Sequence, residues 1–190
     1  GMDVVPNIPS IRAARELSAV VKSNKDLILV EDDMAKRFLI DILERFDRSL
    51  LLNASIVPVG NTHDVYRMVQ SFRGEGVRAI GVRDPDIGDA AGGYVFSLPG
   101  DLAPEELLLS DENVAHAEGL MNGLAKAFEL AKIAGLGHTG SKRAKKVFPA
   151  LANEMGFDSD KLRLVLTLAW LNQNSEVAAT LVYDIRKAFA

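Results

Sequence analysis

The chain has 190 residues, 22 Lys and Arg against 26 Asp and Glu, a formal net charge of −4 and no cysteine. An apolar share of 48% with 25% charged residues fits one globular domain, or a small domain with an appendage, and excludes disordered and collagen-like classes. The lack of cysteine removes disulfide scaffolds, thiol catalysis and cysteine-based zinc sites.

No apolar run reaches the roughly 18 residues that a membrane span needs. The longest, Leu162–Leu171, is broken by Arg163 and Thr167. The start, Gly1-Met2-Asp3, lacks the basic and apolar regions of a signal peptide, and a Gly before Met resembles a cloning remnant. The expectation is a soluble, cytoplasmic protein with no membrane partner.

In chain order, Ile11, Ala14, Leu17, Val20 and Val21 recur at helical spacing behind Ser10 as N-cap, which predicts an N-terminal helix within residues 1–25. The short apolar run Asp26–Glu31 predicts a buried strand. Met34, Phe38, Leu39, Ile42, Leu43 and Phe46 then mark a helix, with Asp32 or Asp33 as its cap. Ala54–Gly60 reads as a second strand whose Pro58 belongs near an edge or a strand end. A helix with Thr62 as cap buries Val65, Met68, Val69 and Phe72 and stops at Gly74 and Gly76. Val77–Val82 is a third strand, and after a loop with Gly88, Gly92 and Gly93 comes a fourth, Tyr94–Leu98. Strands alternating with helices predict an α/β fold with an open parallel sheet of about four strands flanked by helices.

Beyond about Leu109 the period is helical throughout: Asn113–Leu136, Ser141–Met155, Asp160–Leu171 and Ser175–Phe189. The expected organisation is therefore an α/β domain over residues 26–110 and an all-helical C-terminal extension over 111–190 packed on it. Trp170 reads as core. Leu164, Leu168, Leu181, Val182 and Phe189 would serve equally as internal core or as the surface of a homodimer.

Charge is segregated. Nine acids and no base lie between Asp84 and Ala125, and five bases and no acid between Leu130 and Asn153. In an open parallel sheet ligands bind beyond the carboxyl ends of the strands. There the sequence sets Glu31, Asp32 and Asp33 after strand one and Asp84 and Asp86 after strand three. Converging carboxylates raise one another's pKa, and a hard cation such as Mg²⁺ relieves that repulsion. Helix capping accounts for one of these acids and leaves the others unexplained. His63, at the mouth of this cleft, reads as a surface residue of a first helical turn.

Two families write acids into these places. Leu27-Ile-Leu-Val-Glu-Asp-Asp33 resembles the opening of a response-regulator receiver, which implies a phospho-accepting Asp84. Strand four, however, ends without the small hydroxyl residue of that family, and no fifth strand follows. The broader resemblance is to a Toprim domain, carried by Leu27–Glu31, Ile56-Val-Pro-Val-Gly60 and Ala79-Ile-Gly-Val-Arg-Asp-Pro-Asp86. With Leu98-Pro-Gly-Asp-Leu-Ala-Pro-Glu-Glu106 it is similar to the nuclease half of the overcoming-lysogenization-defect (OLD) family over residues 26–110.

That resemblance implies a Mg²⁺- or Mn²⁺-dependent nuclease acting on DNA or RNA. Glu31, Asp84 and Asp86 would be ligands and catalytic groups, Asp33 and Glu105 (or Glu106) further ligands, and Lys142 a phosphate contact at a helix start. Asp32, Ala35 and Asn61 stand where these nucleases carry Gly, Asp and a second Gly. The ATPase half is missing, which implies a separate ATPase partner and, as the alternative, a catalytically degenerate binding module.

Overall fold

The computed structural model describes residues 25–85 and 93–190. The expected N-terminal helix and Asp86 lie outside the described residues. Strand β1 is Asp26–Val30, and all five residues are buried, as a strand covered on both faces requires. Helix α1, Asp33–Phe46, starts at Asp32, whose Oδ1 accepts the N–H groups of Met34 and Ala35, both at 2.9 Å. Asp47 then ends α1 and caps the short helix α2, Arg48–Asn53. Strand β2 is Ala54–Pro58, α3 is Thr62–Gly74, β3 is Ala79–Arg83 and β4 is Val95–Ser97.

The four strands are parallel in the order β2-β1-β3-β4. This is the α/β architecture that the alternation of elements predicts. Pro58 is the last residue of β2, an edge strand, where its missing N–H costs no ladder bond. One face of the sheet buries Leu27, Leu29, Val57, Ala79 and Val95 against Val65 and Val69 of α3. Gly81 makes that approach close, because a Cβ there would stand 2.5 Å from Val65 Cγ1.

The opposite face, with Ile28, Val30, Ile56, Ile80 and Val82, belongs to a larger core that runs without a break into the C-terminal helices. These are α4, Pro104–Leu108; α5, Asp111–Glu118; α6, Leu124–Ala131; α7, Gly140–Met155; α8, Ser159–Gln173; and α9, Ser175–Phe189. Trp170 of α8 sits in this core with its ring edge-on to Phe38 of α1, centroids 5.3 Å apart. Leu181, Val182 and Phe189 are taken up by it too, whereas Leu164 and Leu168 remain exposed on α8.

The expected helix Asn113–Leu136 is in fact α5, α6 and a 3-10 turn at Lys132–Gly135. The chain breaks at Gly119 and at Gly123, where φ is +85°. The Glu118 carboxylate folds back to accept the N–H groups of Gly123 and Ala125, restarting the helix. Asn61, not Thr62, caps α3, its side chain accepting from Asp64 N. Among the described residues no helix is long and apolar enough to cross a membrane.

Candidate functional site

The chain leaves β1 toward β2 on one side and β3 toward β4 on the other, so the strand order reverses between β1 and β3. Such a switch point opens a crevice at the carboxyl ends of the two strands. Glu31 follows β1 and Asp84 follows β3, so both stand at that crevice. The Glu31 Oε1 atom accepts the Asp84 N–H at 2.9 Å and the Thr62 hydroxyl at 2.6 Å. Thr62 is the first residue of α3, reached through Gly60, whose N–H donates to the Glu31 carbonyl at 2.8 Å and whose φ is +123°. A positive φ at that turn favours glycine, and its missing side chain leaves the approach to the crevice open.

The helical half completes the site. Glu105, in the first turn of α4, is only 3% exposed. Its Oε1 lies 3.3 Å from the Lys145 ammonium, and its Oε2 is buried with no hydrogen-bond partner. Lys145 Nζ is also 3.9 Å from Asp32 Oδ2, so Asp32 caps α1 with one oxygen and faces the lysine with the other. Burial of the ammonium works to lower its pKa. The attraction of Glu105, with smaller contributions from Asp32 and Asp84, outweighs this and holds Lys145 above its ordinary value.

The neighbouring Glu106 turns the other way. Its Oε1 accepts the Ser141 hydroxyl at 2.9 Å, and the carboxylate lies beside Gly140 at the start of α7. This protein carboxylate therefore stands where the helix start would favour an anion. A cavity of about 210 Å³ opens behind it between α4, α6 and α7, lined among others by Leu109, Phe128, Val147 and Arg143. Glu31, Asp84 and Glu105 do not line it.

Of the residues singled out from the sequence, the Glu31 carboxylate meets the backbone N–H of Asp84, and Glu105 pairs with Lys145. Asp33 is exposed on the first turn of α1, and Lys142 is exposed on the first turn of α7. His63 is exposed on α3, as read. The sequence reading missed Lys145 and the bond from Thr62 to Glu31. Helix phase holds the signal for the lysine: Ala144, Val147, Phe148 and Leu151 are the buried stripe of α7. At roughly 100° per residue Lys145 flanks that stripe, while Lys142 lies nearly opposite. Among the described residues no group of three or more Asp, Glu or His side chains stands close enough together to hold a metal ion. Comparison with protein-family models, curated proteins and solved structures finds no match to this chain.

Proposed function

We propose that this chain is a Mg²⁺- or Mn²⁺-dependent phosphodiester hydrolase of Toprim type, similar to the OLD nucleases and acting on DNA or RNA in the cytoplasm. The observation that carries the reading is the hydrogen bond that ties the Glu31 carboxylate to the Asp84 backbone at the β1–β3 crevice. The donor chemistry fits a hard cation: every group is a carboxylate, and Glu105 Oε2 is a buried acceptor without a donor. By the resemblance Glu31, Asp84 and Asp86 would hold the ion, with Asp33 and Glu105 as further ligands; among the described residues these groups do not stand close enough together to hold it, so binding would have to draw them in. Bound there, Mg²⁺ would polarise a phosphodiester and a water.

The chain's own residues supply the rest. Thr62 and the Asp84 N–H fix Glu31 in orientation, leaving it to take a proton from the attacking water. Lys142, on the first turn of α7, would be a contact for the phosphate backbone. A separate ATPase partner and a homodimer through the exposed Leu164 and Leu168 of α8 belong to the same proposal.

The test is Mn²⁺-dependent cleavage of single- and double-stranded DNA and RNA by the wild type and by Asp84→Asn. Cleavage by the wild type, lost in a folded Asp84→Asn, is the expected result; cleavage that survives the substitution removes the reading. Metal binding without cleavage of any substrate would favour the binding module instead. A second reading, a phospho-switch, draws on the strand order, which repeats the first four places of the doubly wound order 2-1-3-4-5. Labelling of Asp84 by acetyl phosphate would support it.

A further inference from the structure

We propose that the cavity between α4, α6 and α7 is a binding site for an apolar α-amino acid, with Arg143 taking its carboxylate and Glu106 its ammonium. The cavity is separate from the β1–β3 crevice, and the proposal stands whether or not that crevice cleaves phosphodiesters.

Size and floor set the body of the ligand. The cavity holds about 210 Å³ over an apolar floor of Leu109, Phe128, Ala144 and Val147, each at most 9% exposed. A cavity of ~150 Å³ takes one benzene ring, and pockets for drug-sized ligands begin at about 300 Å³. The occupant is therefore one small molecule, of the bulk of leucine or phenylalanine, and a nucleotide is too large. An apolar side chain on that floor leaves water for a dry surface.

Charge at the rim sets the polar end. Glu106, Asp111, Lys132 and Arg143 are the charged residues that line the cavity. Lys132 Nζ is already taken: it lies 2.8 Å from Asp111 Oδ1 and 2.6 Å from Glu129 Oε1, and it caps the Phe128 ring 4.6 Å from the centroid. That leaves one cation and one anion. The Glu106 Oε1 atom accepts the Ser141 hydroxyl, which gives it a donor and no counter-charge. Among the described residues neither Glu106 nor Arg143 enters an ion pair. Opposite charges on one small apolar space match a zwitterion. A plain carboxylic acid would leave Glu106 unanswered, and a plain amine would leave Arg143 so.

Both groups are held before the ligand arrives. A Cβ on Gly135 would stand 2.7 Å from Arg143 Cγ and 2.8 Å from Val147 Cγ2, so the bare glycine lets the 3-10 turn close on the arginine stem. A stem held in this way loses less freedom when the guanidinium meets a carboxylate. Ser141 does the same for Glu106.

The test is calorimetric titration of the full chain with L-leucine and L-phenylalanine, each beside its analogues without the ammonium (isocaproate, hydrocinnamate) or without the carboxylate (isoamylamine, phenethylamine). One amino acid should bind per chain and raise the Tm, and each of its analogues should bind about tenfold more weakly or worse. Arg143→Met and Glu106→Gln should each weaken the amino acid by a similar factor, and Glu106→Gln keeps an oxygen for Ser141. No binding of either amino acid at millimolar concentration overturns the proposal. An analogue that binds as tightly as its parent amino acid overturns it too, because the charge it lacks would then be idle. Should either variant fail to fold, the ranking of ligands by the wild type decides alone. Nuclease assays are read separately, so neither reading stands or falls with the other.

Discussion

Glu31 and Asp84, 53 residues apart in sequence, are joined by one 2.9 Å hydrogen bond from the Asp84 N–H to Glu31 Oε1. The bond crosses the crevice between β1 and β3, and Thr62 adds a second donor to the same oxygen. Glu31 is therefore a structural acceptor as well as a candidate ligand, and the two roles separate by substitution. Glu31→Gln keeps an oxygen for both donors, so its stability should stay close to that of the wild type while the metal binding proposed above should be lost. Glu31→Ala strands both donors and should cost about 1–3 kcal/mol. Urea unfolding beside metal titration checks both.

Gly81 is where α3 lies on the sheet. A Cβ there would meet Val65 Cγ1 at 2.5 Å and a methyl group each of Val69 and Val95 at 3.2 Å. Gly81→Ala should destabilise by about 1–3 kcal/mol through overpacking, although alanine suits a strand better than glycine. Val65→Ala in the same chain should recover part of that loss, which a double-mutant cycle in urea would read.

Asp41 of α1 and Arg163 of α8 form an ion pair in which neither side chain is more than 12% exposed. Burial pushes the Asp41 carboxyl above its ordinary value, although Arg163 and Thr167 pull it down. Without the arginine the carboxyl would rise further. Arg163→Met should cost about 3–5 kcal/mol at neutral pH by leaving a buried charge alone. Because a raised carboxyl is neutral at low pH, the deficit should shrink as pH falls through the Asp41 pKa. A deficit that stayed the same from neutral to acid pH would contradict this account.

Asp47 behaves in the opposite sense. Burial works to raise its pKa, but Ser49, Arg186 and the backbone at Leu50 outweigh it, and the carboxyl lies below its ordinary 3.8. Its contribution is therefore complete above about pH 4 and lost as pH falls through the lowered value. Wild type should exceed Asp47→Asn in stability at neutral pH, and the two curves should converge below about pH 4 in an acid titration of unfolding.

The sheet was legible because short apolar runs bounded by polar residues leave few alternatives, and Pro58 pointed to an edge or a strand end. Glu31 and Asp84 were legible because strand ends are fixed by the same runs. The sequence reading chose Lys142 over Lys145, since a cluster of bases at a helix start gives charge without direction; the direction comes from the buried stripe of α7. The break between α5 and α6 was missed because Gly119 and Gly123 interrupt an otherwise helical composition, and Glu118 restarts the helix only through a fold-back in space. The bond from Thr62 to Glu31 links residues 31 apart and has no local signature.

The unbroken core under the sheet has a practical consequence for anyone who wishes to trim this molecule. A fragment ending near residue 110 would bare Ile28, Val30, Ile80 and Val82 wherever the later helices had covered them. It would also strand Asp41 without Arg163, Asp47 without Arg186, and the Arg78 guanidinium without the Phe189 carbonyl. The acids at the crevice and the lysine that balances them stand on opposite sides of that cut. A protease that nicks the chain there should melt the fold and part those acids from their lysine in the same event.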